Sequence, residues 1–399
     1  MSSATETTVT RKLTWTSFLR DVLICSLGAY GGPEAHFGVF LDQMVVKRKY
    51  LTEQDLIELL ALCSILPGPT STQTIVSIGY RMGGPVLAFL TMLVWSLPVL
   101  VIMTVLSFLY QFLNLREISF DVLRFIGPMA VGFIILAVYR IGRKVAIDRL
   151  TAVLLVFAAV ITYFIRAPWM FPVVLIAGGI ISIVASGERD IWHRVAMNPP
   201  WRYLAAFFVL ALGGIAASLF LQSRLVQISE MFYRFGYLVF GGGQVVVPVM
   251  HAELVEVRGY LTSPEFLTGY GLVQGLPGPM FSFAAYAGGM AARGQGAAYQ
   301  IAGAIASGIG IFLPGLLLIY FVYPIWESLK QIPAIKIALK GVGAVAGGLI
   351  AVAAVILAQA SGLTLLNASV SLATIALLAS RKIPAPLIVL AALILGFIL

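Results

Sequence analysis

Charged residues are scarce in this chain. Only 11% of its 399 residues are Asp, Glu, Lys or Arg, while 60% are hydrophobic; an average soluble domain carries about a quarter charged residues. Apolar runs recur along nearly the whole length, so we predict an all-α polytopic membrane protein. The net charge of +9 does not indicate a nucleic-acid partner, because the Lys and Arg residues stand singly or in short clusters beside apolar segments. Such positions are typical of topology signals.

The scarcity of cysteine and histidine and the absence of some motifs exclude several classes of function. The two cysteines, Cys25 and Cys63, lie in apolar stretches and are expected to be reduced, buried thiols. The three histidines are scattered, which excludes a metal-ligand spacing and argues against an intramembrane enzyme acting on lipid. No Gly-x4-Gly-Lys-Ser/Thr loop is present, so a pump of this sequence would run on an ion gradient or on a separate ATPase. We therefore expect no enzymatic activity, no cofactor and no metal. No small-residue cleavage site follows the first apolar stretch, so we expect no cleavable signal peptide.

The most informative pattern present is an internal repeat. Pro-Gly-Pro occurs at 67–69 and again at 277–279, and at this offset of 210 residues 15 of the 54 positions from 31 to 84 are identical without a gap. The matches include Gly31-Gly32 with Gly241-Gly242 and Tyr50-Leu51-Thr52 with Tyr260-Leu261-Thr262. Each copy thus carries helix breakers inside very apolar sequence, which in a membrane points to a transporter.

The broken stretches differ from the ordinary spans. Nine segments are predicted to cross the membrane: 84–111, 119–140, 150–165, 169–186, 201–221, 295–325, 334–359, 362–379 and 384–399. Four more stretches (17–47, 52–81, 228–257 and 262–292) are interrupted by Gly-Gly or Pro-Gly-Pro. A half of about 15 residues covers only about 22 Å, so each stretch is either a re-entrant hairpin of half-helices or one long kinked helix.

Charge placement favours hairpins with a cytoplasmic N-terminus. Lys47-Arg48-Lys49 and most other basic clusters then lie inside, and Glu253 and Glu256 lie outside. Nine or thirteen crossings are both odd numbers, which predicts a periplasmic C-terminus. The five spans between the copies are also an odd number, so the second copy enters the membrane from the opposite side. We predict an inverted-topology repeat composed of a disordered cytoplasmic tail (1–14), a first transport repeat (15–190), an inverting linker helix (191–224) and a second transport repeat (225–399).

The Pro-Gly-Pro elements predict an anion site. A half-helix starting after Pro69 would direct its free N–H groups at the break, and the Thr70 and Ser71 hydroxyls would add donors. The predicted substrate-binding residues are Gly68, Pro69, Thr70, Ser71 and Gln73 in the first copy, and Gly278, Pro279 and Ser282 in the second. A packing kink without a ligand is the alternative. The Gly-rich run 341–348 is expected to serve close helix packing.

The Gly-Gly elements add ionisable candidates. Glu34, two residues after Gly31-Gly32, is an acid within an apolar stretch and could carry a coupling proton that His36 relays. Alternatively, Glu34 caps a half-helix and His36 is an interior histidine. Gly31, Gly32, Gly241, Gly242 and Gln244, which aligns with Glu34, complete the predicted binding set. Arg81 at the end of the first Pro-Gly-Pro hairpin could attract an anion, or could serve topology and headgroup contact.

The motifs Gly31-Gly32-Pro33-Glu34-Ala35-His36, Tyr50-Leu51-Thr52 and Leu66-Pro67-Gly68-Pro69-Thr70, with their second-copy counterparts, resemble those of the chromate ion transporter family. The resemblance covers nearly the whole chain and is closest to the long, two-domain bacterial chromate efflux proteins. It implies a protein of the bacterial inner membrane that exports chromate, with sulfate as a chemical mimic, driven by the proton-motive force.

The partners expected from this resemblance are a chromate or sulfate anion, protons and membrane lipid, and a homodimer is left open. Uptake of sulfate or another anion and an anion channel stay as alternatives. Uptake would require inward protons or sodium, and saturable counter-exchange would argue against a channel.

Overall fold

The chain is helical throughout the part that the computed structural model describes, namely residues 14–31, 33–115, 120–167, 169–188, 191, 196–239, 244 and 246–398. The helices are α1 Trp15–Gly28, α2 Pro33–Phe40, α3 Glu53–Ile65, α4 Thr70–Leu115, α5 Ile126–Val145, α6 Arg149–Phe164, α7 Met170–Ala185, α8 Trp201–Phe220, α9 Arg224–Tyr237, α10 Val246–His251, α11 Ser263–Val273, α12 Phe283–Ala291, α13 Ala297–Val322, α14 Trp326–Leu329, α15 Pro333–Ser361, α16 Leu365–Ala379 and α17 Ala385–Ile398. No strand occurs within these ranges, so the predicted all-α class is confirmed.

The predicted spans correspond to nine apolar helices. Five are long and apolar enough to cross a membrane: α4, α5, α8, α13 and α15, two of them with a few flanking residues. The other four, α6, α7, α16 and α17, are apolar but shorter, at 14 to 16 residues. The segment predicted at 119–140 corresponds to the candidate span Asp121–Val145. It begins as a 3-10 turn, Phe120–Leu123, and its α-helix runs from Ile126 to Val145.

All four predicted breakers interrupt helices. The described residues between α1 and α2 (29–31) and between α3 and α4 (66–69) are non-helical. In sequence, the Gly-Gly and Pro-Gly-Pro elements of the second copy lie between α9 and α10 and between α11 and α12. A further interruption divides α4, where Gly84 has φ 72° and ψ −165°. Its repeat partner Gly294 also has positive φ, 93°, and lies between α12 and α13.

The two copies repeat each other at the level of single hydrogen bonds. Thr52 and Thr262 each begin a helix with a reciprocal capping box, made with Asp55 and Glu265 respectively. Both α2 and α10 continue into a π-helical turn, Leu41–Lys47 and Ala252–Val257. In both turns the Arg N–H bonds the carbonyl five residues back, at 3.1 Å for Arg48 and 2.9 Å for Arg258. The duplication read from the sequence is therefore also a duplication of local structure.

Buried ion pairs hold the first hairpin of each copy. The Asp21 carboxylate on α1 accepts hydrogen bonds from Gln43 (2.9 Å), Arg48 (2.7 Å) and Tyr50 (2.7 Å) on the returning arm. In the second copy Arg234 on α9 donates to Glu230 at 2.7 Å and to both oxygens of Glu253 at 2.8 Å. These carboxylates are almost fully buried. Their charge is compensated within the protein, as a buried charge requires.

Close helix contacts require the glycine-rich run in α15. A Cβ at Gly341 would lie 2.1 Å from the Gly178 carbonyl oxygen on α7, and one at Gly348 would lie 2.2 Å from the Leu155 carbonyl oxygen on α6. This run therefore serves packing, as predicted. It holds α15 against helices of the first copy, so the two copies share one core.

Candidate functional site

Two hydrogen bonds connect the breaks of one copy to those of the other. The Gly68 N–H donates to the Val239 carbonyl at 2.8 Å, and the Gly278 N–H donates to the Ala29 carbonyl at 2.7 Å. Both donors and both acceptors are related by the 210-residue offset. Each Pro-Gly-Pro element thus binds the residue two positions before the other copy's Gly-Gly element. We call the Ala29–Gly278 contact the first junction and the Val239–Gly68 contact the second junction.

Only glycine fits comfortably at the centre of either Pro-Gly-Pro. Gly68 has φ 131° and Gly278 has φ 105°, in the region that side chains rarely adopt. A Cβ at Gly278 would also lie 2.8 Å from Val99 Cγ2. The flanking prolines have no N–H, so the glycine supplies the one backbone donor of each tripeptide.

Trp95 organises the side chains at the first junction. It is fully buried in α4, and its indole N–H donates to the Thr72 hydroxyl at 3.1 Å. The Ser26 hydroxyl donates to the Trp95 carbonyl at 2.7 Å and lies beside Gly278. The His36 ring meets the Trp95 ring edge-on, with centroids 5.4 Å apart. Trp95 therefore connects the start of α4 to both breaks at the first junction.

Gln73 occupies the second junction. Its side-chain amide donates to the Pro67 carbonyl at 2.9 Å, across the break, and approaches the Gly315 carbonyl of α13 at 3.4 Å. Pro69, Thr72 and Gly315 line a narrow void beside it. The side chain thus bridges the first copy's Pro-Gly-Pro to a proline-containing helix of the second copy.

Helix α4 starts where the sequence predicted a half-helix, immediately after Pro69. Helix α4 begins directly at Thr70, so the N–H groups of its first turn have no partner within the helix. The Thr70 and Ser71 side chains are buried, and neither hydroxyl donates to a described residue. The anion site at this helix start stays a prediction.

The second copy differs from the first after its Pro-Gly-Pro element. After Pro279 the chain makes a 3-10 turn, Met280–Ser282, and α12 begins only at Phe283. Phe283 stands where the first copy has Gln73, and the amide that reaches across this break is that of Gln274, which donates to the Met280 sulfur at 4.0 Å. The first copy therefore has an α-helical N-terminus directly after Pro69, whereas the second copy has a tighter turn after Pro279.

Unpartnered polar atoms concentrate at these breaks. Seven buried side-chain N or O atoms within the described ranges lack a hydrogen-bond partner. Four of them belong to predicted site residues: both ring nitrogens of His36, Oε1 of Gln73 and the hydroxyl of Ser282. Buried polar groups are almost always paired in folded proteins, so unpaired ones mark where a ligand or water can bind.

The structure places Arg81 away from the breaks. It lies at the far end of the first half of α4, roughly 16 Å along the helix from Thr70, where it pairs with Asp55 at 2.7 Å. Arg293 pairs with Glu265 in the second copy. Both arginines thus close the open ends of the Pro-Gly-Pro hairpins.

The remaining predicted residues lie around the Gly-Gly elements. Gly31 has φ 86°, and Gln244 is half-buried. Gly32, Gly241 and Gly242 fall outside the described residues, as does the side chain of Glu34. Sequence reasoning missed Ser26, Ala29, Trp95 and Val239. The offset that related the motifs would have paired Ala29 with Val239, and a lone tryptophan within an apolar run was the signal for Trp95.

The comparisons with known proteins agree over nearly the whole chain. A family model described as Chromate transporter matches residues 16–183 and again 226–397. A probable chromate transport protein of Synechococcus elongatus is 28% identical over 380 residues, covering 93% of each chain. The chromate transport proteins of Pseudomonas aeruginosa and Cupriavidus metallidurans are each 26% identical, covering 90% and 92% of this chain and 84% and 89% of their own. No solved structure matches.

Proposed function

Because the chain belongs to the chromate transporter family, we propose that it exports chromate, a sulfate-like tetrahedral oxyanion, from the bacterial cytoplasm by proton-coupled secondary transport. The observation that carries the proposal is the pair of reciprocal junctions. They bring the helix breaks of both copies together, as expected for a transporter whose site lies where two repeats meet.

The anion site that we propose is formed mainly by the first copy. Backbone N–H groups at the start of α4 and the hydroxyls of Thr70 and Ser71 would bind anion oxygens. A tetrahedral dianion has four acceptor oxygens and suits a helix N-terminus that still has free donors. Gly278, Pro279 and Ser282 would supply the opposing backbone and one hydroxyl. The proposed site requires no cationic side chain to bind the anion. A site without an ion pair suits a substrate that must be released again.

Export follows from the charge of the substrate. A cytoplasm negative by about 100 mV favours outward movement of an anion by about 2.3 kcal/mol per charge. Counter-transport of protons would add to this. We propose that Glu34 and His36 carry the proton, and that the membrane places the two copies in opposite orientations, with the broken stretches re-entering rather than spanning.

The test is anion flux in proteoliposomes loaded with unlabelled chromate or sulfate. We expect saturable counterflow of the labelled anion, and a decrease of about tenfold or more in Thr70→Ala/Ser71→Ala, since lost hydrogen bonds to a charged group cost about 1.5–3 kcal/mol each. Ser218→Ala, which alters an exposed hydroxyl on α8, is the matched control.

Flux no faster than in empty vesicles would refute the proposal. Flux without saturation or counterflow would indicate a channel. Accumulation that requires inward protons or sodium would indicate uptake.

A further inference from the structure

A cavity of about 470 Å³ opens at the start of α11, at the opposite end of this helix from the second Pro-Gly-Pro element. Its walls come from α4, the start of α5, the first turns of α11 and the end of α15, and they include Arg124, Thr268 and Ser361. A water molecule occupies about 30 Å³ in the liquid, so the cavity has room for roughly fifteen waters. A tetrahedral oxyanion with part of its hydration shell therefore fits.

Arg124 gives this cavity a positive charge. Its side chain is exposed, lies over the Phe125 ring at 5.3 Å, and forms no salt bridge with a described carboxylate. The Glu265 carboxylate also lines the cavity, but it is almost fully buried and already paired with Arg293 and with the Thr262 N–H at 2.7 Å. The charge of Arg124 is therefore available to an anion that enters.

Hydroxyl groups complete the lining. Thr268 lies about 9 Å along α11 from Thr262; it is buried, and its hydroxyl donates to no described residue. Ser361 lines the cavity at the end of α15. The carbonyls of Ser361 and Gly362 accept hydrogen bonds from the Asn367 amide at 2.7 and 3.1 Å, which reduces their repulsion of an anion.

The first copy carries the opposite charge at the matching place. Under the 210-residue offset, Thr268 corresponds to Glu58 on α3. Glu58 lies 3.9 Å from Lys330, which pairs more closely with Glu327 at 2.6 Å. An anion would therefore be repelled at the start of α3 and attracted at the start of α11.

Helices α5 and α11 are in contact between the cavity and the second Pro-Gly-Pro element. Gly127 and Leu267 line the cavity. Next to them, a Cβ at Gly271 would lie 2.5 Å from Ile126 Cγ2 and 2.9 Å from the Ile126 carbonyl oxygen. This close contact makes the cavity a separate site from the helix breaks.

We propose that this cavity, which we call the exit cavity, is a second anion site through which the transported tetrahedral oxyanion leaves the protein. In the orientation proposed above, the start of α11 follows the outward-facing segment that contains Glu256. Arg124 and the hydroxyls of Thr268 and Ser361 bind the anion after it has passed the α5–α11 contact. Conduction requires sites that bind and then release, and an exposed arginine meets that need. This inference rests on the proposed function and adds the route of release.

The experiment measures counterflow from each side of the membrane, with chromate as the probe. Vesicles that contain the full chain are loaded with unlabelled chromate, and the external concentration of labelled chromate that gives half-maximal exchange is determined. Right-side-out vesicles report the periplasmic face, and everted vesicles report the cytoplasmic face. Arg124→Gln removes the charge, and Arg124→Lys keeps it. The matched control, Arg224→Gln, removes an arginine that lies over Tyr260 at 4.7 Å, outside the exit cavity.

We expect Arg124→Gln to raise the half-saturating concentration about tenfold or more in right-side-out vesicles, because hydrogen bonds to charged groups contribute at least this factor. The value in everted vesicles should not change. Arg124→Lys should restore most of the wild-type value, and Arg224→Gln should match the wild type on both faces. Thr268→Glu, which introduces the acid found at Glu58, should act in the same direction as Arg124→Gln.

An unchanged value for Arg124→Gln in right-side-out vesicles would overturn the inference. An equal rise on both faces, or an equal rise in Arg224→Gln, would overturn it as well. Absence of counterflow in the wild type would instead refute the proposed function.

Discussion

Gly278 and Gly84 share a positive φ but differ in their surroundings. At Gly278 a Cβ would meet Val99 at 2.8 Å and the Ser26 hydroxyl at 3.4 Å, whereas at Gly84 it would meet nothing within 4 Å. Backbone strain and steric conflict can therefore be separated at the residue scale, and only Gly278 combines them with a junction hydrogen bond.

Gly278→Ala should lower both stability and transport. Backbone strain of about 1–3 kcal/mol acts together with a clash against a residue in the middle of α4. We expect a reduced unfolding temperature in detergent and loss of chromate counterflow.

Gly84→Ala is the control for the strain alone. It should lower the unfolding temperature less and leave counterflow largely intact. Equal effects of the two substitutions on counterflow would show that the close approach at Gly278 does not matter.

For single residues, the sequence predicted the structure correctly where the residue type itself restricts the backbone conformation. Proline and glycine pairs marked the four predicted breaks, because few other residues tolerate those backbone conformations. The partners of the breaks were not predicted, because Ala29 and Val239 act through backbone carbonyls that every residue possesses. The ion pair between Arg81 and Asp55 was not predicted either, because these two residues meet only after the hairpin has formed.

The first hairpin of each copy is held by a different set of charges. The first copy has one buried carboxylate, Asp21, with neutral Gln43 and Tyr50 beside its arginine. The second copy has two buried carboxylates, Glu230 and Glu253, that share Arg234. At the scale of elements, the second hairpin therefore depends on a single guanidinium far more than the first does.

Arg234→Gln should destabilise the protein by about 3–5 kcal/mol, because it leaves two carboxylates buried without their main partner. The matched change in the first copy, Arg48→Gln, should cost clearly less, since Asp21 keeps its bonds from Gln43 and Tyr50. Thermal unfolding of the purified variants in detergent measures both. Equal losses would mean that Arg258, 3.8 Å from Glu253, takes over from Arg234.

Helix starts were predictable where proline or capping chemistry marks them. Thr52 and Thr262 begin helices with an acid three residues later, which is a readable signature. No such signature marks the start of α5, which follows a 3-10 turn at Phe120–Leu123 within the predicted span. The late start of α12 was missed, since nothing in Met280–Ser282 distinguishes a 3-10 turn from a first α-helical turn.

For the whole molecule, the duplication is visible in both sequence and structure, while the orientation of the copies in a membrane is our proposal. Lys47 and Val257 are equivalent under the 210-residue offset, and both are exposed at the ends of their π-helical turns. An inverted repeat places them on opposite faces of the membrane. Two copies in the same orientation would place them on one face.

Lys47→Cys should react with a membrane-impermeant thiol reagent from the cytoplasmic face, and Val257→Cys from the periplasmic face. The unmodified chain should stay unlabelled, because Cys25 and Cys63 are both buried. Labelling is measured in intact cells and in everted vesicles. Reaction of both cysteines from one face would rule out the inverted arrangement.

The reciprocal junctions also determine when the first copy can complete its fold during synthesis. The hydrogen bond from the Gly278 N–H to the Ala29 carbonyl cannot form until the ribosome has added 249 further residues (278 − 29). At about 5–20 residues per second, the ribosome needs roughly 12–50 s to supply that partner. During that interval the first copy is already in the bilayer with its break incomplete. We therefore expect the insertion machinery to protect the first copy during this interval. We also expect a half-length chain to be degraded by membrane proteases.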